Sequence, residues 1–283
     1  MERAIKDLCQ LPDARFFEEV ATGIGHVVEV VERLDPAAHK LSEVGDHHPA
    51  RILGNLAEEE AAKVLILVDA VRCPRSKQAE RSRTLGYFYD HLAKGIYTQV
   101  CHWRSMDLAH VTRGIEQERV EHYLDGPNGV DWIFPNRITQ EREDDLYVSY
   151  VRDDSDEEGQ GERYWSCPHN ENLLGHFTPP VINVARALHQ VGATAPAGLA
   201  VVADVWQPVE VRPEMRFHEL EQLNWRTLEV LEERGLLADA PGEVRRVIRD
   251  RWPFPLWPLD LGLRKVEKER LRDVQRQWSP EDW

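Results

Sequence analysis

Apolar positions recur every three to four residues along most of the chain, which is the period of an amphipathic helix. Residues 14–35 carry this pattern, and Asp35-Pro36 predicts its end, followed by a polar loop over 36–48. A second helix is predicted over about 49–72, with Asp46 or His48 as cap and Pro49 in its first turn, stopping near Cys73-Pro74. A third is predicted over about 80–104 and a fourth over about 106–124, before Asp125-Gly126-Pro127-Asn128-Gly129 breaks the period. The spacing predicts Leu56, Val64, Leu67, Phe88, Leu92, Ile96 and Val100 as core positions.

The period then changes. DWIF (131–134), LYVSYV (146–151) and RYWSCP (163–168) are short, rich in aromatic and β-branched residues, and predict strands. The last two flank an acidic stretch, DDSDEEGQG (153–161), which suits a mobile hairpin tip. Helical spacing returns at about 179–192, with a linker expected over 193–198. Short helices follow near 214–235, 242–251 and 261–278, with a Trp/Pro-rich turn over 251–260 that packs on its own domain or docks a partner. No internal repeat is present. Helices, then a β-hairpin, then helices is not the order of a parallel α/β sheet. The fold class predicted is mainly α.

Composition narrows the function. No run approaches the roughly 18 apolar residues a membrane span needs. The N-terminus lacks an apolar signal core, and the four cysteines are scattered with no CxxC. A soluble, cytoplasmic protein without disulfides or structural zinc is therefore expected. The formal charge of −15 argues against nonspecific nucleic-acid binding, although a local arginine groove is compatible with it. There is no P-loop, dinucleotide glycine pattern, GxSxG or ExxH. Asp46-His47-His48 reads as a loop and cap rather than a metal site, so neither metal nor cofactor is expected.

Two segments carry chemistry. On the second helix Ile52, Leu56, Glu59, Lys63 and Leu67 share one stripe with a charged middle, where Glu59 and Lys63 form either a surface ion pair or part of a buried polar cluster. On the third, Tyr87, His91, Lys94 and Thr98 form a polar stripe, either a solvated face or a place where His91 and Lys94 meet an anion together.

Glu59-Glu60-Ala61-Ala62-Lys63, then Phe88-Tyr89-Asp90-His91-Leu92-Ala93-Lys94, then Leu146-Tyr147-Val148, then Trp165-Ser166-Cys167-Pro168 follow in order. This series resembles the abortive-infection proteins of the AbiV type, a branch of the HEPN-like helical superfamily, over about residues 14–195. Ser149 stands where that family usually has aspartate, and the 153–161 loop is longer than typical. The resemblance implies a HEPN-like bundle over 1–195 with a β-hairpin insert at about 130–168, and leaves 196–283 as a C-terminal helical extension. It implies a homodimer and an anti-phage effector that arrests translation, either as a metal-independent ribonuclease or as a non-catalytic module that binds a phage or host protein.

Such ribonucleases use an arginine and a histidine with four to six residues between them, the histidine moving a proton and the arginine stabilising phosphate charge. Arg104 and His110 fit that spacing. So do Arg33/His39, Arg163/His169 and Arg212/His218, about the number that 12 His and the many Arg would give by chance. Arg104/His110 is singled out by its place after the third helix. The candidate catalytic set is then Glu59, Lys63, His91 and Lys94, expected to converge between helices two and three, together with Arg104 and His110.

Overall fold

The computed structural model describes residues 3–103, 105–124, 133–152, 163–168 and 178–277. Arg104, the 125–129 breaker, the acidic 153–161 stretch and His169 lie outside them. The fold is mainly helical, and its centre is α2 (His47–Arg72). From Val64 to Arg72 every residue of α2 is buried, and Ala57, Ala61 and Ala62 are buried ahead of them. A helix that is apolar all round must be enclosed by others. Here α1 (Asp13–Glu43), α4 (His91–His102), α7 (Pro180–Gln190) and α8 (Pro196–Trp206) enclose it.

Several expected boundaries move. α1 does not stop at Pro36 but runs to Glu43. The apolar stripe Phe16, Val20, Ile24, Val27, Val31 continues to a fully buried Ala38, and Arg186 of α7 binds Glu32 and Asp35 in the turn ahead of the proline. Those contacts hold the chain helical where the missing N–H would otherwise favour a break. Asp46 precedes α2 without a side-chain capping bond.

The expected third helix is two: α3 (Gln78–Gly86) and α4, separated by a 3-10 turn over Tyr87–Tyr89. Asp90 ends the turn, and its carboxylate accepts from Ala93 N at 3.0 Å, starting a new helix. The expected fourth helix is shorter, α5 (Leu108–Glu118), because His122–Leu124 forms strand β1 and pairs antiparallel with β2 (Ile133–Pro135).

The insert therefore holds more than one hairpin. Between β2 and the expected hairpin stands a helix the hydrophobic pattern does not predict, α6 (Arg137–Leu146), which buries no residue fully. Asn136 caps it, accepting from Thr139 N, while its own amide donates to the carbonyls of Glu118 and Val120. β3 (Ser149–Arg152) and β4 (Arg163–Ser166) then pair antiparallel, with Tyr150 opposite Trp165.

Residues 193–198 are not a linker. Ala193 and Thr194 are buried, Pro196 opens α8, and Gly198 lies so close to the Gly192 carbonyl that a Cβ would stand 2.0 Å from that oxygen. α9 (Phe217–Glu233) and α10 (Gly242–Arg251) follow near their expected positions, while α11 (Lys268–Arg276) starts later than the pattern predicts. One hydrophobic cluster contains buried side chains from Cys9 to Leu261, on both sides of residue 195.

The segment after α10 is fixed to α2 by a fully buried ion pair. Arg72 binds Asp69 at 3.0 Å, donates twice to the Pro253 carbonyl, and lies between the rings of Trp206 and Trp252. The second oxygen of Asp69 accepts from the Tyr97 hydroxyl and from Leu256 N. The Trp/Pro-rich turn packs on its own bundle.

Among the predicted core residues Val64, Leu67, Leu92, Ile96 and Val100 are buried; Leu56 and Phe88 are partly exposed. No helix of the described residues is long and apolar enough to cross a membrane.

Candidate functional site

Two helices set the site. Glu59 sits halfway along α2, on the face that carries His48, Arg51 and Asn55 at spacings of three and four. His91 and Lys94 occupy the first turn of α4, one turn apart, and the Asp90 cap fixes where that turn begins. The Glu59 carboxylate is the hub. One oxygen lies 2.9 Å from His91 Nδ1 and 2.5 Å from Lys94 Nζ. The other accepts from Arg142 Nε at 2.9 Å and lies 3.1 Å from His91 Nδ1. Lys94 Nζ is 3.3 Å from the same ring nitrogen.

Exposure is graded across the cluster. The Lys94 side chain is 5 % exposed, Glu59 15 %, Arg142 23 % and His91 48 %. Burial alone would raise the Glu59 pKa, but the bond and charge of Lys94, joined by His91, outweigh it and hold the carboxyl below its usual range. Glu59 is thus an ionised acceptor, so the imidazole nitrogen facing it carries the proton. In neutral His91 the lone pair is then on Nε2, which has no hydrogen-bond partner among the described residues. A carboxylate that fixes one nitrogen of a half-exposed ring and leaves the other without a partner is the arrangement a general base needs.

Lys63 does not join the cluster. Its ammonium pairs with Glu60, one turn back, and lies over the Phe88 ring at 4.9 Å. The i,i+4 pair with Glu59 is absent because Glu59 is already held by three groups from α4 and α6. His110 is exposed in the first turn of α5, where its backbone N–H donates to Asp107. α4 intervenes between the two candidate sites, and its length of about 17 Å separates its first turn from the α5 end of the bundle. His91 and His110 therefore do not form one constellation within a protomer.

Arg142 belongs to the site and comes from the helix that the pattern misses. α6 is held over α2 by polar contacts: Arg142 to Glu59, and Asp145 to Arg51, to Asn55 at 2.7 Å and, through its carbonyl, to His48 at 2.8 Å. Its one apolar anchor, Ile138, packs against Gly95, where a Cβ would stand 2.2 Å from the isoleucine methyl. Signals for it exist in Asn136 as a cap and in Arg142 and Asp145 one turn apart, but they are polar signals, invisible to hydrophobic periodicity. Comparisons of this chain with protein-family models, with curated proteins and with solved structures give no match.

Proposed function

We propose that this chain is a cytoplasmic anti-phage effector of the abortive-infection type that arrests translation by cleaving RNA, with His91 as the catalytic residue. The observation that carries the reading is the Glu59–His91 pair: an ionised carboxylate fixes one imidazole nitrogen, and the half-exposed ring offers the other. Lys94 and Arg142 bring two cations to the cluster, set against the carboxylates of Glu59 and Glu143, and give a phosphodiester something to lean on in a chain of net charge −15. His91 Nε2 takes the proton of a ribose 2′-OH, the 2′ oxygen attacks phosphorus, and the bond to the 5′ oxygen breaks. The departing oxygen takes a proton from solvent, leaving a 2′,3′-cyclic phosphate and a 5′-OH. Arg142, more open than Lys94, stabilises the charge on phosphorus. A homodimer, as the family resemblance implies, is part of this reading.

The test is incubation of the purified chain with total RNA and with tRNA in the presence of EDTA, beside a His91→Ala control. Cleavage leaving cyclic phosphate ends, lost in a folded His91→Ala protein, supports the reading; intact RNA with the wild type overturns it.

A second reading is favoured by the β3–β4 hairpin. Tyr147, Tyr150, Tyr164 and Trp165 are all at least half exposed, and the rings of Tyr150 and Trp165 meet at a tilt of 45° with centroids 5.0 Å apart. Such a patch suits a non-catalytic module that inhibits translation by binding a phage or host protein. In that case Trp165→Ala abolishes the biological effect and His91→Ala leaves it intact.

A further inference from the structure

At the end of α6 away from Asp145, a cavity of about 890 Å³ opens between the C-terminus of α5, β1 and α11. Its volume is that of a small-molecule site. Two features set it apart from the rest of this acidic chain.

The first is uncompensated positive charge. Four cations line the cavity. Arg137 is matched by Glu118 at 2.8 Å, and Arg264 leans on Glu116 at 3.7 Å. Lys265 and Arg270 have no ionic partner among the described residues, and against them stands one unmatched carboxylate of the wall, Glu267. The two open cations belong to different segments, an extended stretch and the first turn of α11, so they suit an anion with charge spread over several atoms better than a single carboxylate.

The second is a mixed wall opposite those charges. Tyr123, Leu271 and Val274 supply apolar surface, and Val274 is 40 % exposed. Beside them Nδ1 of His122 is buried without a hydrogen bond among the described residues; the nearest carboxylate, that of Glu121, is 4.0 Å away. That nitrogen is closed to solvent within the fold, so what His122 offers the cavity is the rest of its ring.

We propose that this cavity binds a nucleoside phosphate, with the phosphates on Lys265 and Arg270 and the heterocycle against Tyr123, Leu271 and Val274 within reach of His122. Inorganic phosphate would leave the apolar wall unused, and a hydrocarbon acid would use neither the second cation nor the imidazole. The assignment is independent of RNA cleavage at His91.

Calorimetric titration of the full chain at physiological salt, with ATP, GTP, CTP and UTP in parallel with adenosine and tripolyphosphate, tests it. At least one nucleotide binds saturably at one per chain, and both adenosine and tripolyphosphate bind at least tenfold more weakly. Lys265→Ala/Arg270→Ala weakens the nucleotide at least tenfold. Glu267→Gln, which removes the opposing charge, tightens it several-fold, a gain that a folding defect does not produce. Absence of saturable binding by all four nucleotides at millimolar concentration, tripolyphosphate binding as tightly as the best nucleotide, or Glu267→Gln leaving affinity unchanged overturns the proposal.

Discussion

Helix α2 carries two carboxylates that each reach a basic group and a side chain of α4, and the two clusters behave in opposite ways. Asp69, with Arg72 and Tyr97, is sealed under the Trp/Pro-rich segment. Burial pushes the Asp69 carboxyl up despite Arg72, and pulls Arg72 down to about 10 despite Asp69. Glu59, with Lys94, His91 and Arg142, opens at His91, and there the partners win: its carboxyl is held down. Ten residues along one helix, the same pairing gives a structural lock where water is shut out and a chemically available site where it is not. In the lock the Arg72 Nε is left without a hydrogen bond but is shut away from water, whereas the unpartnered nitrogen of the open cluster belongs to a half-exposed ring.

The largest effect is expected at the lock. Arg72→Met leaves Asp69 buried beside no cation and is expected to cost about 3–5 kcal/mol. Adding Asp69→Asn should recover part of it, because the uncompensated charge goes with it. Urea unfolding of the single and double variants checks both; a cost below about 1 kcal/mol for Arg72→Met would mean that the pair is not the lock described.

Next comes the seat of α6. Gly95→Ala places a methyl where Ile138 now sits, so α6 must lift. Overpacking of this kind costs about 1–3 kcal/mol. Faster hydrogen exchange confined to residues 137–146, with loss of RNA cleavage, is the expected signature.

A smaller effect belongs to Glu58, whose carboxyl is raised to about 7 by burial and by the charge of Asp35. The folded chain holds this proton more tightly than the unfolded one. Stability therefore falls as pH rises from the ordinary glutamate range towards 7. Glu58→Gln should stabilise the protein at pH 8, by an amount on the order of 1 kcal/mol, and not at pH 4. Glu59 has the opposite sign: its contribution is present above the ordinary glutamate pKa and is lost as pH falls through the depressed one. Thermal unfolding from about pH 2.5 to 8 separates the two. The smallest change in stability is expected for His91→Ala, under about 1 kcal/mol, since the ring is half exposed.

The sequence pattern was informative where burial follows periodicity. The α2 core, the buried face of α4 and the β3–β4 pairing were all readable from spacing. So was the meeting of Glu59, His91 and Lys94, which the family resemblance selected. Three features were not readable, for separate reasons. Pro36 argued for a helix end, but tertiary contacts through Arg186 and Ala38 outweigh a local preference. α8 shows nearly uniform small apolar residues without a polar face, so its period is faint. α6 has the reverse problem, since its contacts are polar and its single apolar anchor depends on a glycine of another helix. Arg142 comes with α6 and shares its polar signal, so spacing points to Lys63 for the place beside Glu59 that Arg142 takes.

The central claim is that Glu59 holds the proton of neutral His91 on Nδ1 and leaves Nε2 as the open base. Long-range proton–nitrogen NMR of the imidazoles in the ¹⁵N-histidine protein at pH 8, with His91→Gln to assign the signal, reads this directly. The account predicts a His91 ring protonated on Nδ1 in the wild type, and a shift towards the Nε2-protonated form usual for free histidine in Glu59→Gln. A wild-type His91 already protonated on Nε2 and unaffected by Glu59→Gln would contradict it.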